Sequence, residues 1–241
     1  MPPLFVVFSI IAFCAFIVGL SKGGLGGALG SLVTPLLALL IPTKLAVGLT
    51  LPMLIVGDIC AVIAHWNGWD RKSLIMVLPA TILGVILGAF AFNAIDAVLL
   101  QRVLGVAALL YTAYALWRRR GGKGLPKGTT PAQTSAFGGL TGFASVLANQ
   151  GGPVFTIHLL TLDLTPAKIV GTSALFYLIM NVIKLPIYAA SLTWQNMLLV
   201  AWTIPIILVG VWGGAKLDKK IDMKTFETIL LVFAITAWCC C

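Results

Sequence analysis

Apolar runs fill most of the chain. They lie near 4–20, 25–41, 45–65, 72–92 and 97–117 in the first half, then 132–148, a shorter 153–164, 167–190, 196–216 and 225–241. Brief polar or turn-rich joints separate them. Most approach the length of about 17–25 residues that a helix needs to cross a hydrocarbon core. The two-residue alternation of a barrel strand is absent, and backbone in lipid must satisfy its own hydrogen bonds, so the pattern predicts an all-α integral membrane protein. Composition agrees: with 60% hydrophobic and 10% charged residues, there is too little polar surface to cover a water-soluble globule.

The pattern also repeats. Pro79, Gly84, Gly88 and Asp96 recur 126 positions later as Pro205, Gly210, Gly214 and Asp222. Upstream the register slips slightly, but Pro42-Thr43-Lys44 still answers Pro166-Ala167-Lys168, and Asp58 answers Asn181. Duplicated apolar chains are characteristic of secondary transporters, which place their sites where the two copies meet. The expected division is a first membrane repeat over 1–117, a basic linker over 118–131 and a second repeat over 132–241, each with about five segments, some broken or re-entrant.

Basic residues set the expected orientation. With the Arg118-Arg119-Arg120 linker cytoplasmic, five crossings put Met1-Pro2-Pro3 outside, Arg71-Lys72 inside and the turn at Asp96 outside. In the second half the lysine-free turn at Trp194 falls outside, and the turn holding Lys216, Lys219, Lys220 and Lys224 falls inside. The turns at Asp96 and Asp222 then lie on opposite sides, so the topology is inverted. Whether the first two segments cross fully or form a re-entrant hairpin, the number of net crossings stays odd. Both termini are expected outside a cell (cytoplasmic) membrane. The first segment lacks a basic n-region and has an internal repeat partner, so it reads as part of the mature protein rather than a cleaved signal peptide. The net charge of +9 sits mostly in these topology signals, which contact anionic lipid; no nucleic-acid partner is expected.

Candidate chemistry gathers where both halves break their helices with glycine and polar residues. The first break reads Ser21-Lys22-Gly23-Gly24-Leu25-Gly26-Gly27, the second Asn149-Gln150-Gly151-Gly152-Pro153. Such a break frees backbone N–H groups, glycine lets a ligand approach the main chain, and the positive end of the next helix dipole favours an anion. Many of these glycines also fit small-xxx-small spacing for close helix contact; packing is the preferred reading for Gly84/Gly88 and Gly210/Gly214, but explains neither Lys22 nor Asn149-Gln150. Lys184 follows Asn181 by about one turn, so both can face one cavity, although a lysine can also snorkel to the surface. Asp58 is a candidate proton carrier or a structural hydrogen-bonding group. Thr50, Thr172 and Ser173 can donate to an anion or bond back to their own helix.

Other groups promise less. His158 reads first as a packing histidine and His65, beside Trp66 and Trp69, as part of an interfacial belt. Cys14 and Cys60 lie in apolar segments, and Cys239-Cys240-Cys241 lack the spacing of a closed metal site. No cofactor or metal is expected. No Walker loop, HExxH or serine elbow appears, which disfavours an ATP-driven pump for this chain alone.

Gly19-Leu20-Ser21-Lys22-Gly23-Gly24, the Pro42-x-Lys44-x-Ala46-x-Gly48-x-Thr50 stretch and its echo Thr165-Pro166-x-Lys168-x-x-Gly171-Thr172-Ser173, together with the duplicated plan, resemble the TauE/SafE-type sulfite exporter family. The resemblance covers nearly the whole chain and implies a transporter, not an enzyme, moving sulfite, an organosulfonate or a related sulfur-containing anion, with export as the direction. The second break departs from the first in carrying no lysine. Expected substrate contacts are Ser21, Lys22, Gly23, Gly24, Thr50, Asn149, Gln150, Gly151, Gly152, Thr172, Ser173, Asn181 and Lys184, with Asp58 as the proton-coupling candidate. Partners are a small anion, membrane lipid and a possible coupling proton; the sequence leaves oligomeric state open. The alternatives are a cation or metal transporter using Asp58, His65 and His158, and an intramembrane enzyme with His158 and Asp58 as acid and base.

Overall fold

A computed structural model describes residues 4–27, 30–38, 41, 43–92, 128–149, 151–188 and 192–218. All regular structure among them is helical: α1 Leu4–Gly24, α2 Gly30–Ala38, α3 Thr43–Ala64, α4 Arg71–Ala91, α5 Pro131–Ala148, α6 Gly151–Leu160, α7 Pro166–Lys184, α8 Trp194–Ala201 and α9 Ile204–Asp218. Within these, Leu45–Ala64, Arg71–Ala91 and Pro166–Lys184 are long and apolar enough to cross a membrane. The expected segments 97–117 and 225–241, nearly all of the linker, and the turns at Asp96 and Asp222 lie outside the described residues.

Two expectations need correction. The segment expected over 25–41 contains a helix of only nine residues, α2, about 13 Å long at the helical rise and far short of a span. It matches the ten-residue α6, so both helix breaks are followed by short helices. The expected segment 196–216 is divided in two, with α8 ending at Ala201 and α9 beginning at Ile204. Pro205 stands in the first turn of α9, where its missing N–H costs nothing, and helical continuity through it would remove a bond. Its counterpart Pro79 lies inside an unbroken α4.

Local chemistry sets the helix starts. Thr130 caps α5 with a full capping box, its hydroxyl accepting the Gln133 N–H while the Gln133 side chain accepts the Thr130 N–H. Thr165 caps α7, with Pro166 in the first turn. Asp70 caps α4 by accepting from the Ser73 N–H at 2.9 Å. The Ser73 hydroxyl also bonds this carboxylate and holds it below the usual aspartate range.

Among the described residues, two large apolar cores hold most of the packing, with smaller clusters between α3 and α7 or the turn that follows α7. One draws Val18, Leu37, Met53, Ile207 and their neighbours from α1, α2, α3, α8 and α9. The other draws Val85, Val146, Phe155, Phe176 and Met180 from α4, α5, α6 and α7. Each therefore combines helices from both halves of the chain.

Glycine allows the closest contacts. A Cβ on Gly142 would meet the Thr81 carbonyl oxygen and the Val85 nitrogen; one on Gly19 would meet the Ile207 oxygen and the Val211 nitrogen. Residue 142 lies 123 positions after 19, while 207 and 211 lie 126 after 81 and 85. The same two intervals relate Gly84 on the Gly139 oxygen to Gly210 on the Phe16 oxygen, and Gly88 on the Phe143 oxygen to Gly214 on the Leu20 oxygen. The α4–α5 and α1–α9 contacts thus correspond atom type by atom type. The left-handed break residues Gly26 and Asn149, each at φ 56°, are also 123 apart.

This packing has a direct test. A Cβ at Gly210 would sit 2.7 Å from the Phe16 oxygen and 2.9 Å from Gly19 Cα and the Leu20 nitrogen, all backbone atoms that cannot swing away. Gly210→Ala is expected to destabilise the protein by about 1–3 kcal/mol through overpacking. Gly213, with no atom of the described residues within 4 Å of its Cβ position, should accept alanine with unchanged or slightly higher stability, because alanine favours helix. Melting temperatures of the purified variants in one detergent decide; equal effects would contradict the packing account.

Candidate functional site

The polar breaks and the middle of α3 and α7 meet around a small cavity. Its walls are Lys22, Gly27, Gly30, Leu54, Ser145, Asn149, Gly152, Tyr177, Asn181 and Lys184. The space holds about 20 Å³, enough for a water-sized occupant. A larger ligand requires the walls to separate.

Both breaks shape this space through the backbone. Past α1 the chain turns through Gly26 and Gly27, both at positive φ, and the Ser21 carbonyl accepts the Leu25 and Gly27 N–H groups, each at 3.0 Å. The Ser21 hydroxyl accepts the first N–H of α2, from Gly30, at 3.0 Å. A side chain on Gly27 would come within 2.8 Å of the Tyr177 ring, so glycine is needed there for conformation and for space. After α5, Asn149 takes the equivalent left-handed turn and caps that helix. Its side-chain amide donates to the Val47 carbonyl at 3.2 Å and the Thr34 hydroxyl at 3.4 Å, tying the second break to α2 and α3.

Three charged side chains are buried here: Lys22 is 4% exposed, Asp58 0% and Lys184 1%. The Lys22 ammonium pairs with Asp58 Oδ1 at 2.7 Å and lies over the Tyr177 ring, 4.3 Å from its centre. Asn181 Nδ2 donates to Asp58 Oδ2 at 2.7 Å. The Lys184 ammonium reaches the Ser145 hydroxyl at 2.9 Å, the Ser145 carbonyl at 3.3 Å and Asn149 Oδ1 at 2.8 Å. Tyr177 donates to the Gly152 carbonyl at 3.1 Å. In their ordinary charge states these are two ammonium groups beside one carboxylate, and a buried excess of that sign is an attractive field for an anion.

The expected contact residues divide clearly. Lys22, Asn149, Gly152, Asn181 and Lys184 line the cavity, and Asp58 binds two of these wall residues. Ser21 acts behind the wall as a backbone brace. Gly23 and Gly24 instead press on the backbone of Val211 and Gly214 in α9. Gly151 packs against Thr141 and Ser145. The Thr50 hydroxyl bonds back to the Ala46 carbonyl at 2.7 Å, which serves its own helix rather than a ligand. Thr172 accepts the Asp70 N–H at 2.8 Å and so braces the start of α4. The buried Ser173 hydroxyl faces Gly26 outside the cavity wall. Gln150 lies outside the described residues.

Ser145, Tyr177, Gly27, Gly30 and Leu54 were not expected in the wall. Two of them carried a helical signal: Ser145 precedes Asn149 by four residues, and Tyr177, Asn181 and Lys184 follow the i, i+4, i+7 spacing of one helix face. The residues of the cation-transport alternative do not converge. His65 bonds the Gly23 carbonyl at 2.8 Å, and His158 stacks on Phe137. Among the described residues, no group of three or more His, Cys, Asp or Glu could hold a metal ion.

A model of the sulfite exporter TauE/SafE family matches residues 11–239, a span that takes in both breaks and every wall residue. The chain belongs to the TauE/SafE family. Membership implies a membrane exporter of sulfite or a related anion, in accord with the cationic excess. No curated protein and no solved structure matched this TauE/SafE chain.

Proposed function

We propose that the protein is a secondary transporter that exports sulfite, an organosulfonate or a related small sulfur-containing anion across the cell membrane by alternating access. The observation that carries this reading is the buried pair of cationic side chains, Lys22 and Lys184, in the wall of a cavity between the two helix breaks, with Asp58 behind that wall as the ion-pair partner of Lys22. Lys22 and Asp58 belong to helices of one apolar core, whereas Asn149, Asn181 and Lys184 belong to helices of the other. Relative rocking of the two bundles would open the cavity first to one side and then to the other. The matching glycine contacts at constant intervals support an origin by duplication, and the distribution of basic residues supports halves that are inverted in the membrane.

Reconstitution tests the transport reading. Purified protein in liposomes should move labelled sulfite, unchanged, across the bilayer, and a panel of competing sulfur anions should rank its preferences. Chemical conversion of the anion without transfer would instead support an intramembrane enzyme.

Inverted topology has a separate test. Single cysteines beside Asp96 and Asp222, in a background without native cysteine, are expected to react with an impermeant thiol reagent from opposite sides of the membrane. Labelling of both from one side would contradict the inversion.

A further inference from the structure

We propose that Asp58 is a charge selector that sets the buried cluster at a net charge of plus one and so fits the site to singly charged anions. This deepens the anion-transport reading and rests on it. The charge count takes the three side chains in their ordinary charged forms, which their contacts accommodate. Asp58 Oδ1 is ion-paired with the Lys22 ammonium at 2.7 Å and Oδ2 accepts from Asn181 Nδ2 at 2.7 Å; a protonated carboxyl would turn its hydrogen toward one of these two donors. Lys184 has three oxygen partners, two on Ser145 and one on Asn149. Each of the three can accept from an ammonium hydrogen, so the contacts accommodate the charged form.

No other charged side chain in the described wall alters the sum. Tyr177, the remaining titratable group, donates its hydroxyl hydrogen to Gly152. The buried histidines, His65 and His158, line no part of this cavity. Lys22, Asp58 and Lys184 therefore total plus one, and a monoanion brings the closed site to neutrality. A dianion leaves a net negative charge in a medium that solvates it poorly. Sulfite in neutral solution includes both the dianion and hydrogensulfite, so the parent site selects hydrogensulfite, which carries its own proton.

The wall also limits the rest of the ligand. Apart from Leu54 and the Tyr177 ring the described wall is glycine and polar side chains, which suits a compact headgroup better than a long carbon tail. The preferred class is a compact oxyanion headgroup of single charge. Residue 181, which lies 123 positions after Asp58, is asparagine. The second half thus already holds a neutral side chain of the same shape in a helix interior.

The test uses probes whose charges do not change with pH. Methanesulfonate, a monoanion, and sulfate, a dianion, compete against labelled sulfite for the full-length protein in liposomes at one fixed pH. In the parent, methanesulfonate should compete better than sulfate by about tenfold or more. Asp58→Asn raises the site to plus two and should reverse the order. Adding Lys184→Gln to that variant restores plus one and should restore the parent order, which loss of packing would not do. If Asp58→Asn does not fold, Lys22→Gln with Asp58→Asn removes both partners at once, keeps plus one and should retain the parent order with weaker binding. An unchanged ratio in Asp58→Asn, or a reversed one in the Lys22→Gln/Asp58→Asn protein, overturns the selector. A parent that takes up no labelled sulfite overturns the transport reading and the selector together.

Discussion

Lys22→Ala is expected to lower anion affinity by about 10- to 150-fold and to destabilise the protein at the same time. The affinity loss is that of one charge-assisted hydrogen bond, about 1.5–3 kcal/mol. The stability loss arises because Asp58 is fully buried and Lys22 is its ionic partner at 2.7 Å. Removal of one member of a buried pair leaves the other charge uncompensated, at a cost of about 3–5 kcal/mol. The two effects separate in a double variant. Lys22→Gln with Asp58→Asn deletes both charges and should regain most of the stability, while affinity stays low. Lys44 provides the comparison: it lies in the first turn of α3, away from both helix breaks in the sequence, so Lys44→Ala should change sulfite affinity little. Similar, small effects from Lys22→Ala and Lys44→Ala in folded protein would remove Lys22 from the site.

Lys184→Gln should reduce affinity over a similar range, about 10- to 150-fold, with a smaller loss of stability. The reason for the difference lies in the partners. Lys184 bonds neutral oxygens of Ser145 and Asn149, and glutamine retains an amide that can donate to one of them. No carboxylate is orphaned by the change, yet the site loses one of its two positive charges. Flux of labelled sulfite and melting temperature, measured on the same preparation, distinguish the outcomes. A variant that loses stability but binds sulfite as the parent does would make Lys184 a structural cross-link between α5 and α7.

The membrane class, the helix content and the location of both breaks were legible because each depends on local pattern: run length, glycine clusters and proline after polar residues. Spacing also placed Asn181 and Lys184 on one face. The short α2 was not legible, since the hydrophobic run over 25–41 carries no mark of where a helix inside it begins. The division of α8 from α9 was likewise obscured inside one hydrophobic run, although Pro205 marked it. The sequence could not distribute the serines and threonines. Thr50, Thr172 and Ser173 have the chemistry of anion donors, but Thr50 bonds back to its own helix, while tertiary geometry sets Thr172 against the Asp70 N–H and buries Ser173 against Gly26. Glycine was ambiguous for a related reason: Gly23 and Gly24 neighbour Lys22 in sequence but face α9, whereas Gly27 and Gly30 face the cavity.

The central claim is that the Lys22, Asn149, Asn181 and Lys184 wall is where the anion binds. Selenite shares the shape and charge of sulfite and scatters X-rays anomalously, so crystals of the protein grown with it locate the anion directly. The account predicts a selenium peak in the cavity, within ion-pair reach of Lys22 and Lys184, that disappears in Lys184→Gln at the same selenite concentration. A peak confined to another place, such as the wider cleft lined by Asp70, Lys72 and His158, with the parent cavity empty, would contradict it.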